Sequence, residues 1–165
     1  MATNNNSSAA VLQEALILYR TFNLPLTTIW KAWSDADSLK KWWGPKGYTC
    51  PDCTIDFRVG GKFLASMQSE DGKKSWGTGT YKEIIPMQKI INTDSFSDSE
   101  GNIVPASYYN MPGEWKEELL VTFEFEEVDG TTNLKLKHEG LPPEMIDDCR
   151  KGWQSSLDKI EENFN

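Results

Sequence analysis

The end of the chain constrains its fold more than any other part. From Pro143 to Phe164, apolar side chains recur at Met145, Cys149, Trp153, Leu157, Ile160 and Phe164, at steps of four, four, four, three and four. That spacing lays all six along one stripe of an α-helix. A helix with one apolar stripe must bury it against something. Upstream, several runs alternate apolar and polar residues with period two, punctuated by Gly60-Gly61, Asp71-Gly72 and Asp129-Gly130. Alternation of this kind, cut by such dipeptides, is the mark of strands joined by hairpins. One long helix and one antiparallel sheet are therefore expected to cover each other, an α+β arrangement that leaves room for a small apolar guest.

The order of elements follows from the same signals. Leu16-Ile-Leu-Tyr-Arg-Thr-Phe22 reads as a first strand, stopped by Asn23-Leu-Pro25. Pro25 suits the first turn of a helix carrying Ile29, Trp30 and Trp33. Asp35 is a fitting N-cap for a second short helix bearing Leu39, Trp42 and Trp43, which Gly44-Pro45 ends. Six strands follow: a run from Tyr48 to Phe57, then Lys62–Met67, Trp76–Ile85, Lys89–Phe96, Leu119–Phe125 and Thr132–His138. Seven strands are expected in all. Between Ser97 and Trp115 lies a long connection rich in Gly and Pro that also holds Ile103, Val104, Tyr108, Tyr109 and Met111. So much apolar surface suits a lid over the end of the sheet, or a loop packed on itself.

Period two also sorts the faces. Leu119, Val121, Phe123 and Phe125 share one side, Thr132, Leu134, Leu136 and His138 another inward row, and Phe63, Ala65 and Met67 a third. The rows Ile90, Asn92, Asp94, Phe96 and Gly79, Tyr81, Glu83 mix apolar with polar. Polar groups on an inward face fit a cavity that orients a ligand better than a core built only for stability. A bulge at Gly60-Gly61 or Gly77-Thr-Gly79 would flip that assignment and place Asp94 and Glu83 in water.

Composition excludes several functions. Seventeen basic against twenty-five acidic residues give a net charge of −8, a field that repels phosphate backbones and anionic lipid surfaces. Nucleic acid is not an expected partner. No apolar run is long enough for membrane insertion. Met1–Ala10, rich in Asn, Ser and Ala, reads as a disordered lead-in rather than a signal peptide, so residues 11–165 form the expected single domain and a cytoplasmic location is expected. Cys50-Pro-Asp-Cys53 invites a metal or redox reading. Zinc would need two more ligands, with only Cys149 and His138 as remote candidates, and residues three apart on a strand point to opposite faces. Two ordinary thiols, and no metal or cofactor, are expected.

Together these motifs carry a resemblance. Trp30 with Ala32-Trp33, Leu39 and Trp42-Trp43-Gly44-Pro45, then Asp56-Phe-Arg-Val-Gly-Gly-Lys-Phe63, Gly79-Thr-Tyr-Lys-Glu-Ile84 with Pro86, His138-Glu-Gly-Leu141, and Gly152-Trp153 with Leu157 stand in an order that resembles the helix-grip (START-like, polyketide cyclase-like) superfamily. Within it, the chain resembles the branch named for the C-terminal domain of the activator of heat shock protein 90 ATPase. The resemblance spans residues 14 to 164 and implies a seven-stranded antiparallel sheet wrapped around the last helix, with a cavity between them. It implies no single activity. The eukaryotic activator couples such a domain to a preceding chaperone-binding domain, which a chain of 165 residues is not expected to include, so chaperone activation is not the favoured expectation.

Chemistry is sparse. The single histidine, His138, has no Gly-x-Ser-x-Gly elbow for company, and the glycine-rich stretches match neither a P-loop nor a dinucleotide fingerprint. A structural histidine is the expected role, and no catalytic residue is assigned. An acid–base enzyme of cyclase or hydrolase type would have to use His138, Asp94, Glu83 or Tyr81. A chaperone-binding protein would need an exposed patch, for which Trp42, Trp43 and Tyr108 are candidates. The favoured expectation is a binding module for an apolar or amphipathic small molecule, with Phe63, Met67, Tyr81, Asp94, Phe96, Tyr108, Tyr109, Phe123, Leu136, His138, Trp153 and Leu157 as candidate contacts. Neither the ligand nor the oligomeric state is legible.

Overall fold

Alternation in the sequence becomes one sheet. The structure, a computed structural model, describes residues 15–164. The stretch Met1–Ala10 lies outside the described residues. The elements run β1 (Leu16–Phe22), α1 (Leu26–Ser34), α2 (Ala36–Leu39), β2 (Cys53–Ile55), β3 (Lys62–Gln68), β4 (Lys74–Ile85), β5 (Lys89–Ser97), β6 (Leu119–Val128), β7 (Thr131–Glu139) and α3 (Ile146–Asn163). Among the described residues, seven strands pair antiparallel in the order β1-β7-β6-β5-β4-β3-β2. This is the expected α+β helix-grip fold. The run from Tyr48 is less regular than its alternation suggests: only Cys53–Ile55 forms a strand, with one further bridge from Thr49 to Gln68.

Register fixes which side chains face the helix. Leu16 stands opposite His138, His138 opposite Val121, Val121 opposite Asn92, and Asn92 opposite Tyr81. Directly paired residues share a face, so this row lies on the concave side. Farther along, Asp94 pairs with Leu119, and Gly77 joins Phe96 to Ala65. The row Gly79, Tyr81, Glu83 does not continue as period two predicts. The bulge falls at neither glycine cluster: Tyr81 faces Asn92 but Glu83 faces Ile91, so Lys82 is an extra residue on β4. One inserted residue turns the next side chain over. Glu83 therefore points away from the helix and pairs with Lys89 at 3.3 Å. The expectation of an inward Glu83 is corrected.

The two short helices are tied in by tryptophans. Asp35 caps α2, accepting from the Ser38 amide at 3.0 Å and the Ser38 hydroxyl at 2.8 Å. Those bonds, the hydroxyl's first, hold the Asp35 carboxyl below its ordinary pKa. Just beyond α2, Trp42 is fully buried. Its indole N–H donates to the Ala32 carbonyl at 2.8 Å, and its own carbonyl accepts from the Ser156 hydroxyl at 2.7 Å. Rings of Trp33 and Trp42 stand 4.6 Å apart, and Trp33 meets Phe123 and Phe125 of the sheet at 5.5 and 5.1 Å.

The last helix is unevenly seated. Over its second half, Leu157 and Ile160 are fully buried against the sheet and α1. Polar ties cluster there too: Lys159 Nζ donates to the Tyr48 carbonyl at 2.8 Å, Asn163 to the Lys41 carbonyl at 2.8 Å, and Arg20 pairs with Asp158 at 2.6 Å. In the first half, Cys149 and Trp153 are only half-buried.

The cap gives a prediction. Asp35→Ala should cost about 1 kcal/mol at neutral pH, because two Ser38 donors lose their acceptor. A depressed carboxylate stabilises the fold above its unfolded pKa, and that contribution is lost as pH falls through the lower folded value. The gap between wild type and Asp35→Ala in chemical denaturation should accordingly shrink on acidification.

Candidate functional site

The uneven seating of α3 leaves a recess of about 380 Å³ under its first half. Ala65 and Met67 of β3, Gly77 of β4 and Phe96 of β5 supply its floor. Cys149, Gly152 and Trp153 of α3 form its roof, and Met111, Trp115 and Lys116 of the long β5–β6 connection close one side. A second, deeper void of about 30 Å³ reaches Tyr81, Asn92 and Phe123. Trp43, Asp94 and Trp153 line both. The Trp43 and Trp153 rings, edge to face at 5.8 Å, stand where the two meet.

The polar end of the recess is built by three side chains. Trp153 Nε1 donates to His138 Nδ1 at 3.1 Å. Indole N–H is a donor only, so Nδ1 must carry a lone pair and the imidazole proton sits on Nε2. That nitrogen is buried, lies 3.4 Å from Asp94 Oδ2, beyond the usual N–H···O length, and has no hydrogen-bond partner. His138 is thereby set as a donor rather than a base. Cys149 does not complete a nucleophilic pair: burial first, then the charges of Asp94 and Asp148, push its thiol up to about 11. Burial also raises the Tyr81 hydroxyl.

The long connection is anchored by a side chain. At the end of the β4–β5 ladder, where Trp76 faces Ser97, the Tyr109 hydroxyl accepts from the Trp76 amide at 3.1 Å and donates to the Ser97 carbonyl. Phe96 packs against both Tyr109 and Trp115, at 6.1 and 5.2 Å. This segment therefore forms a wall of the recess.

Of the candidate contacts, Met67, Asp94, Phe96, His138 and Trp153 line the larger recess, and Phe63, Tyr81 and Phe123 the inner void. Leu136 and Leu157 lie in the packed core, and Tyr108 is 58% exposed. Tyr109 serves as the anchor just described. Trp42 is buried, so it belongs to no surface patch. Cys50 precedes β2 in irregular chain, and the strand rule that sets it opposite Cys53 does not apply. The Cys50 thiol donates to the Asp52 carbonyl at 3.4 Å, and the interaction of the two thiols holds Cys50 below and Cys53 above the ordinary thiol value. Neither lines the recess. Among the described residues, no group of His, Cys, Asp and Glu could hold a metal ion, and no helix is long and apolar enough to cross a membrane.

Sequence reasoning missed Gly152, Trp115 and Lys116. Gly152 left a signal, a glycine inside a strongly periodic helix. The other two lie in a connection whose path no periodicity dictates.

The model of the family described as activator of Hsp90 ATPase homolog 1-like protein matches residues 23–165. The chain belongs to this family. No curated protein matches it. Among solved structures, a protein from Chromobacterium violaceum is 26% identical with a TM-score of 0.72, covering 91% of this chain and 96% of its own. One from Silicibacter pomeroyi, titled with the same family name, is 26% identical with a TM-score of 0.71, covering 90% and 96%. One from Mycobacterium smegmatis, 22% identical over 92% and 90% of the two chains, shares the fold with a TM-score of 0.74. The Gly-Gly turn by which the chain resembles the activator family has a steric cause here. A Cβ on Gly61 would lie 2.0 Å from the Asp56 carbonyl oxygen.

Because the chain has one histidine, its tautomer can be read without ambiguity. Long-range ¹H–¹⁵N NMR should show a proton on Nε2 alone in the wild type. Trp153→Phe removes the donor to Nδ1 and should yield a mixture of both tautomers.

Proposed function

We propose that this protein binds an apolar or amphipathic small molecule in the recess between its sheet and the first half of α3. Gly152 carries the reading. It stands inside a helix, where glycine costs about 1 kcal/mol relative to alanine. It lines the recess, and a Cβ built on it meets nothing within 4 Å. Neither a tight turn nor a close backbone contact calls for glycine here. What its missing side chain preserves is open volume beside Trp153. Affinity would come mainly from burying apolar ligand surface, on the order of 25 cal/mol per Å², with His138 and Asp94 setting orientation.

Two substitutions at this position separate stability from binding. Gly152→Ala should stabilise the fold by about 1 kcal/mol, raising Tm by about 3 °C. Gly152→Phe should leave the fold intact and fill the recess. Native mass spectrometry of gently purified wild type is expected to show a bound guest, and calorimetric titration with butylbenzene to show uptake; Gly152→Phe should abolish both. A wild type that takes up neither would defeat the reading.

A further inference from the structure

The recess ends in a donor and an acceptor held side by side, and this narrows what its guest can be. His138 Nε2 carries a proton because Nδ1 is occupied by the Trp153 N–H at 3.1 Å. The imidazole side chain is only 6% exposed, and its Nε2 has no hydrogen-bond partner. A buried donor left in that state is costly unless something enters to accept from it. Asp94 Oδ2 lies 3.4 Å away, and the Asp94 carboxylate makes no hydrogen bond and no other ion pair among the described residues. Its carboxylate is an acceptor only. Both groups line the recess.

Few chemical groups satisfy this pair. A carboxylate has no proton for Asp94 and meets its charge. An ammonium gives Asp94 a donor but offers nothing to the imidazole N–H. A ketone or ether accepts from Nε2 and leaves Asp94 unmet. A hydroxyl does both through one oxygen placed beside the pair, accepting from His138 and donating to Asp94, two groups set too far apart to bond each other well. We propose that the guest is a neutral hydrophobe bearing a hydroxyl, a phenol or an alcohol, seated with its oxygen beside the His138–Asp94 pair, within reach of both, and its apolar body along Trp153 and Phe96. This rests on the recess being a ligand site at all. Lys116 also lines the recess, and its charge makes an anionic guest the competing case.

Four probes of one shape decide it: butylbenzene, para-butylphenol, para-butylbenzoate and para-butylbenzylamine, titrated calorimetrically into the full chain at neutral pH. The phenol should bind about tenfold or more tighter than the hydrocarbon, as hydrogen bonds to a charged acceptor warrant. The benzoate should bind least. Asp94→Ala should bring the ratio of phenol to hydrocarbon affinity close to one; should that variant not fold, the wild-type ranking decides alone. Equal binding of phenol and hydrocarbon, or tightest binding of the benzoate or the amine, overturns the hydroxyl assignment while leaving the recess in place. Failure of all four to bind overturns the recess reading with it.

Discussion

Trp42 is the interaction on which the rest of the structure depends. It has no exposed surface, yet it is not simply filler. Its indole N–H satisfies the end of α1 through Ala32, its backbone carbonyl receives Ser156 of α3, and its ring meets Trp33 and Trp43. A large buried aromatic whose polar atoms are all used fixes position as well as adding apolar area. Through it, the short helices, the turn after them and the long helix take one arrangement relative to the sheet. The half of α3 beyond Ser156 is thus pressed onto the main core, while the half before it meets the sheet through the smaller cluster of Leu16, Leu119 and Leu141 and through the Arg150 bond to the Ile17 carbonyl.

That division gives the molecule its hollow. Leu157 and Ile160 close one end of the grip completely. Nearer the helix start, Gly152 withdraws, Trp153 turns its N–H to His138, and the connection from β5 brings Trp115 alongside. Large aromatic and sulfur-bearing side chains, among them Trp43, Met67, Phe96, Met111, Trp115 and Trp153, form much of its wall. The aromatic rings present broad apolar faces and the methionines adapt to fill irregular gaps, which suits a wall against which a guest can lie.

Much of this could be read from the residues, and the failures have physical causes. The stripe on α3 and the alternation of β6 and β7 are strong because each element has one buried face and one wet face, so Leu119 to Phe125 and Thr132 to His138 sorted correctly. Asp94 fell on the concave side by the same rule. Glu83 did not, because Lys82 adds one residue and period two has no memory beyond a bulge. The contacts of Tyr109 could not be foreseen, since nothing local tells an aromatic ring in a loop which strand pair it will enter. Gly152 was visible as an exception to helix propensity, but its meaning required knowing what faced it. The tautomer of His138 is further still from the sequence: it is decided by a tryptophan fifteen positions away.

The position of Tyr109 carries a last consequence. Where Trp76 and Ser97 would otherwise meet amide to carbonyl, a phenol oxygen stands between them. One rung of the main-chain ladder has been replaced by a bolt that belongs to the neighbouring loop. The connection that walls the recess is thus fastened to the sheet through one hydroxyl, beside the Phe96 ring that Tyr109 and Trp115 both meet.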